Sequence, residues 1–275
     1  MLVLAMAVTL AGCSEATTGG SSTTGTTAGK TTEAASTTAA TTVATTVAVS
    51  DAYGLDKLTG DLPSVSEPAE KDEDRSKSED GKWAIDNNCT IDGDKIIVNS
   101  TDGTAAFYGG QSLGTVWNAS TNFRPIKTYQ GDNTPVCARL FINNAEGAEV
   151  LLLTVNFMDK SAENVDNQVG IMLQVYNGKK WKTLYDSNGW VETKSTKFHF
   201  GVSRAEGSKK VSFVVAGDQG EIVNRETVAE VDEALLDSIV AAGVGVYSSA
   251  VEYSSFKVEG NGPTSFEFSG LQFGA

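Results

Sequence analysis

Imidazole, thiol and positive charge are all scarce in this sequence. Histidine occurs once and cysteine three times in 275 residues. A single histidine excludes metal centres built on paired imidazoles, and no two cysteines have the CxxC spacing of a zinc site. Lys and Arg number 21 against 35 Asp and Glu, giving a formal net charge of -14 and a pI near 4.5. Such a surface repels phosphates and anionic headgroups, which excludes nucleic acid as a partner bound through a broad electrostatic footprint. The apolar run that opens the chain, MLVLAMAVTLAGC, has 13 residues and is too short to span a ~30 Å hydrocarbon core as a helix.

That run ends in Leu10-Ala11-Gly12-Cys13, which resembles a bacterial lipobox, although no Lys or Arg precedes Lys30 to supply a positive n-region. The resemblance implies cleavage before Cys13 and diacylglycerol on its thiol. The chain would then be lipid-anchored at the extracellular face of a bacterial membrane, with the membrane as a partner through that anchor. Residues 14–50 follow with 19 Ser or Thr among 37 and no periodic apolar face. A segment of this composition cannot offset its conformational entropy by burial, so a disordered tether is expected, with hydroxyls open to O-glycosylation. Residues 51–62 carry scattered Tyr53, Leu55, Leu58 and Leu62, enough for a short helix or a docking patch. Residues 66–80 (SEPAEKDEDRSKSED) read as a solvated, charged linker. The expected organisation is a signal segment over 1–13, a linker over 14–80 and a folded domain over 81–275. Residues 1–80 hold 12 acids and 5 bases, so half of the net charge lies in less than a third of the chain.

From residue 81 short apolar stretches alternate with Gly, Asn and Asp turns, which predicts an all-β domain. Asp92-Gly93-Asp94 between Cys89-Thr90-Ile91 and Ile96-Ile97-Val98 is a hairpin signal, as are Asn177-Gly178 and Glu206-Gly207-Ser208. Strands are predicted at 136–142, 149–157, 169–176, 180–185, 196–202, 210–216, 244–248, 251–258 and 264–268, with one helix near 231–241. Alternation puts Val169, Ile171, Leu173 and Val175 on one face and Met172, Gln174 and Tyr176 on the other. Phe198, Phe200 and Val202 form a second inward row that leaves Lys197 and His199 outward. Strands with one apolar and one mixed face pack as two antiparallel sheets, so a sandwich is expected.

The stretch KFHFGVSRAEGSKKVSFVVAG, followed by a short helix and VGVYSSAVEYSSFKVEG, resembles the concanavalin A-like lectin/glucanase superfamily. The resemblance implies an all-β, two-sheet antiparallel jelly-roll sandwich with an oligo- or polysaccharide as partner. It does not choose among lectins, carbohydrate-binding modules and glycoside hydrolases. A hydrolase needs paired carboxylates, and the nearest match to the superfamily's E-x-D-x-E strand is Glu230-Val231-Asp232-Glu233-Ala234, where Ala234 replaces the last acid and a helix follows. No catalytic residue is assigned. His199, mid-strand, lacks a nucleophile turn for a catalytic triad.

Saccharide recognition needs an aromatic plane flanked by amide and carboxylate groups. The candidates are Trp117 in GTVWNAS, Trp190 in DSNGWVE, Tyr176, Gln174 on the same strand face, and His199. Trp181 reads as structural, in alternation with Thr183 and Tyr185, and Trp83 as closing the start of the domain. No organic cofactor is expected. The oxygen-rich loops Asp186-Ser187-Asn188-Gly189 and Asp159 to Asp166 leave a structural calcium ion open, and neither has EF-hand spacing. With Cys13 lipidated, Cys89 and Cys137 are the remaining pair, and an exported protein can join them in a disulfide. Non-catalytic glycan binding is the expected function, with a glycoside hydrolase and a surface protein that binds another protein as alternatives.

Overall fold

A computed structural model describes residues 50–71, 74–129, 136–157, 168–227 and 230–274, all within one compact unit. In chain order the strands are β1 (Ser76–Lys77), β2 (Trp83–Ile85), β3 (Cys89–Asp92), β4 (Lys95–Tyr108), β5 (Trp117–Thr128), β6 (Val136–Asn144), β7 (Glu149–Phe157), β8 (Gln168–Tyr176), β9 (Trp181–Asp186) and β10 (Val191–Glu192). They continue as β11 (Phe198–Arg204), β12 (Ser212–Gly217), β13 (Gly220–Glu226), β14 (Ile239–Gly260), β15 (Phe266–Phe268) and β16 (Leu271–Phe273), with a helix α1 (Glu233–Asp237) before β14. Every pairing among them is antiparallel.

Two strands run through both layers of the sandwich. The first half of β14 lies between β6 and the far half of β4; its second half lies between β5 and the near half of β4. The break falls at Ser248, whose φ of 53° is in the left-handed region and coincides with a register shift between Tyr247 and Ser249. Layer one is therefore β9 and β10, β8, β7, β6, β14, β4 and β2; layer two is β13, β12, β11, β5, β14, β4 and β3. The layers meet through alternating apolar residues. Phe157 of β7 packs edge-on against Phe123 of β5 at 5.9 Å and Phe198 of β11 at 5.5 Å, and Tyr185 of β9 packs on Phe213 of β12 at 4.9 Å. Each such ring, fully buried, contributes about 2–3 kcal/mol of transfer free energy. Tyr253 also crosses the core. Its ring lies among Phe123 and Phe200 while its hydroxyl donates to the Gly245 carbonyl and accepts from the Arg139 amide, so it ties layer two to the backbone of layer one.

The all-β sandwich, the hairpin at Gly93 and the inward rows of β8 and β11 are as the sequence predicts. Differences have local causes. The two strands expected at 244–248 and 251–258 are one strand of 22 residues, because Ser248 bends the chain without ending it. The helix is five residues rather than about eleven, with Asp232 as N-cap accepting from the Ala234 amide. Strands β5 and β13 were not expected, since WNASTNFRP is too polar to read as a strand until its odd positions are seen to face the core. Trp181 is not structural: a bulge at Leu184 reverses the faces of β9, so Trp181 and Thr183 point outward while Tyr185 points in. Trp83 does close the start of the domain, packing on Tyr108 and Phe256 at 5.0 Å each.

The described residues of 66–80 are mostly exposed, as expected of a charged linker, but they and residues 50–62 are hydrogen-bonded to the sandwich. They run along the sandwich as a strap, and the boundary expected at residue 81 falls inside the packed region. Asp86, 2% exposed, holds the strap's second half by accepting from Arg75 Nε at 3.1 Å and the Ala105 amide at 2.9 Å, with Lys71 at 3.4 Å. Arg75 also lies over the Phe107 ring and reaches Ser269 in the β15–β16 hairpin. Lys71 and Arg75 read as solvated in the sequence because their partner, Asp86, lies in a separate segment. Cys89 and Cys137 are free, buried thiols rather than a disulfide: Cys89 is on the edge strand β3 of layer two and Cys137 is in layer one, donating to Asn156.

Removing Asp86 leaves a guanidinium and a buried amide without their acceptor. Asp86→Ala should therefore cost about 3 kcal/mol in urea unfolding, and Lys71→Ala, which removes an exposed partner, less than about 1 kcal/mol. Burial pushes both thiols up from their ordinary range. Neither should be alkylated by iodoacetamide at pH 8 until denaturant unfolds the domain, as read by intact mass.

Candidate functional site

The five residues predicted to bind saccharide do not meet in one place. Trp117 opens β5 with its side chain turned inward, 2% exposed and packed in the core, so it offers no platform. It is the first residue of β5, paired with Gly260 and Arg204 at the ends of β14 and β11; it does stand beside the Gly114 turn, but its ring is turned into the core. His199 is outward on layer two, as alternation predicts, but the ring of Tyr53 stacks on it at 4.2 Å and 16°. Burial holds its imidazole down at about 4, in the neutral form. Trp190, Gln174 and Tyr176 do share a surface, the outer face of layer one.

That face is built on β8. Gly170, Met172, Gln174 and Tyr176 are all half-buried and project from one side of the strand. Trp190, 38% exposed, lies just before β10 and folds back over Gly170. A Cβ on Gly170 would stand 3.5 Å from Trp190 Cζ3 and 3.6 Å from Cε3, ordinary contact distances that place the indole over this residue. Register carries the row inward from Gly170 to Asn156 on β7, Cys137 on β6 and Tyr247 on β14. Asn156 Oδ1 accepts a hydrogen bond from the Cys137 thiol at 2.8 Å, which orients its amide. One row further on, Arg139 sets its guanidinium 5.1 Å from the Tyr247 ring, and its buried Nε has no hydrogen-bond partner among the described residues. At the other end of β8, about 20 Å away by strand rise, Tyr176 packs against the exposed Trp181 at 5.4 Å.

The rest of this face is closed. The hairpin β15–β16 lays Phe266, Phe268 and Phe273 over Phe107, Phe141 and Leu152. Among the described residues, the uncovered part of this face thus carries an indole, an amide beside it and, one row further along β6, a guanidinium. Asn156, Arg139 and Tyr247 were not singled out in the sequence. The outward parity of Cys137 and Arg139 in VCARLFI would have pointed to the second of them, but nothing in sequence joins β6 to Trp190.

Of the acids in the stretch Glu230 to Ala234, Asp232 caps α1 and Glu233 pairs with Lys209 at 3.5 Å. The Asp186 loop is a hydrogen-bonded turn. Asp186 accepts from the Asn188 amide and Ser187 donates to the Gly189 carbonyl, so its oxygens close a turn with Asn188 at φ 54°. Asp159 to Asp166 lie outside the described residues, as does Cys13.

The chain matches no protein-family model and no curated protein sequence. Among solved structures it is similar to a Lotus tetragonolobus seed lectin (12% identity, TM-score 0.46, covering 68% of this chain and 97% of the lectin). It is also similar to the mannose- and calcium-bound form of the VIP36 exoplasmic/lumenal domain (11%, 0.45, 71% and 90%) and to the carbohydrate-binding module CBM66 of Bacillus subtilis (11%, 0.43, 65% and 95%). At these identities and scores the likeness carries no assignment of function.

Proposed function

We propose that the sandwich binds oligo- or polysaccharide without transforming it, on the open part of the outer face of layer one. The observation that carries this reading is Trp190: an indole lying over Gly170, 38% exposed, near the Asn156 side chain, with the Arg139 guanidinium further along the same face. A pyranose presents a C–H face to such a ring and hydroxyls to such donors and acceptors. Gln174, Tyr176 and Trp181 extend the same surface along β8, which suits an extended chain better than a single sugar. The lipobox at Cys13 and the Ser/Thr-rich segment after it support a surface-held protein. Between Cys13 and residue 50, where the described strap begins, lie 36 residues, rather than the 67 between Cys13 and residue 81.

Retention of the full chain in gels containing β-glucan, mannan, xylan or chitin tests the reading. At least one should retard the parent, and Trp190→Ala should weaken that binding about tenfold or more while Trp117→Phe leaves it unchanged. Retardation by none of them, or equal retardation of the Trp190→Ala variant, overturns it. A second check concerns the bilayer: Cys13→Ser should release the protein from membranes into the soluble fraction, and unchanged membrane retention contradicts lipid anchoring.

A further inference from the structure

The outer face of layer two is also covered, but by a different kind of cover. Register places His199 of β11, Asn122 of β5 and Ser254 of β14 in one row, and Arg124 and Glu252 in the next. Gly201, Ser120 and Ala216 are the small residues beside them. Residues 50–61 lie across this surface. The Asn122 amide donates to the Tyr53 carbonyl at 2.9 Å, and Arg124 donates to the Gly60 carbonyl at 2.9 Å and the Asp61 carbonyl at 3.3 Å. Tyr53 stacks on His199, whose Nδ1 bonds Asn122 Oδ1 at 2.8 Å, while Leu55 and Leu58 are buried. Arg124 meets both Glu252 oxygens, at 2.9 and 3.1 Å.

The two covers can be compared within one molecule. Where the β15–β16 hairpin covers layer one, both surfaces are phenylalanine, leucine and alanine. Where the strap covers layer two, the floor is a guanidinium, a carboxylate, an imidazole, an amide and a hydroxyl. Burying these groups under protein is costly, and an apolar floor of the same volume would hold a permanent cover as well or better. The fit is also incomplete. Arg124 Nε and Ser254 Oγ are buried beneath the strap with no hydrogen-bond partner among the described residues. The strap supplies carbonyl acceptors and one ring, which is what a neutral sugar supplies as hydroxyl and ring oxygens and a C–H face.

We infer that the face formed by Asn122, Arg124, His199, Glu252 and Ser254 is a second site for a neutral saccharide, and that residues 50–61 occupy it in cis and give way to ligand. The inference rests on the reading that this domain binds saccharide, and it concerns a face on the opposite side of the sandwich from Trp190. A site that is open only in a minor fraction of molecules binds with its affinity reduced by that fraction. Releasing the strap therefore raises affinity without changing any group that touches the ligand.

The test uses the full chain with Leu55→Asp and Leu58→Asp together, since neither buried leucine position accommodates a carboxylate. His199 reports release: its NMR titration midpoint should rise from about 4 toward 6.5 as the imidazole meets water. Hexaoses of β-1,3-glucose, β-1,4-glucose, β-1,4-mannose and β-1,4-N-acetylglucosamine are the probes, read by calorimetry. Binding of at least one should strengthen about tenfold on release, keep that gain with Trp190→Ala added, and lose it with Glu252→Gln or Asn122→Ala added. If the double variant fails to unfold cooperatively, a protease site placed at residues 63–66 and cut in the folded full chain replaces it. A His199 midpoint that stays near 4 shows a permanent cover and overturns the inference. So does a normal midpoint with no gain for any hexaose, or a gain abolished by Trp190→Ala. If Trp190→Ala removes binding in the parent while strap release adds none, only this second site fails; if the parent binds nothing and release creates binding that needs Glu252, only the Trp190 reading fails.

Discussion

Strand β14 hydrogen-bonds to β6 and β4 along one half and to β5 and β4 along the other, and the rest of the sandwich depends on that continuity. A strand shared by two layers fixes their register to each other, because side chains alternate with a period of two and a slip of one residue would turn both inner faces outward. The bend at Ser248 allows the change of layer, and Tyr253 secures it by bonding across the core to Gly245, eight residues back in the same strand. With the inner faces fixed in this way, the composition of both outer faces follows from the even and odd positions of the same strands.

Those outer faces carry the chemistry of the proposed binding. Layer one presents a mixed surface, part sealed by an apolar hairpin and part left open around Trp190. Layer two presents a concentrated polar surface that is covered by a segment held through its own backbone carbonyls. In the first of these the indole of Trp190 lies over Gly170 of β8. The N-terminal residues that a composition argument assigns to a linker are thus part of the domain, with Asp86 anchoring one stretch and the Arg124–Glu252 pair lying under another.

Much of the fold was legible because inward rows such as Phe198, Phe200 and Val202 carry their periodicity in the sequence. What was not legible is of two kinds. Trp117 looked like a loop-edge aromatic because the small polar residues around it, Asn118 and Ser120, are the outward positions of a strand whose inward partners are separated from one another by them. Trp181 was misassigned because a bulge reverses parity, and no residue type marks Leu184 as the extra one. The site itself depends on pairings between distant segments. Trp190 and Asn156 are 34 positions apart, and Tyr53 and His199 are 146 apart, so only the register of β7 on β8 and the path of the strap bring them together.

Binding at Trp190 is tested most directly by following the indole N–H signals of the ¹⁵N-labelled full chain while the retained polysaccharide's hexaose is added. The signal of Trp190 should shift in proportion to saturation, that of Trp181 should move less, and that of the buried Trp117 should stay in place. A titration that moves Trp117 and leaves Trp190 unchanged, or that moves none of them while the oligosaccharide binds, would contradict the placement of ligand on the outer face of layer one.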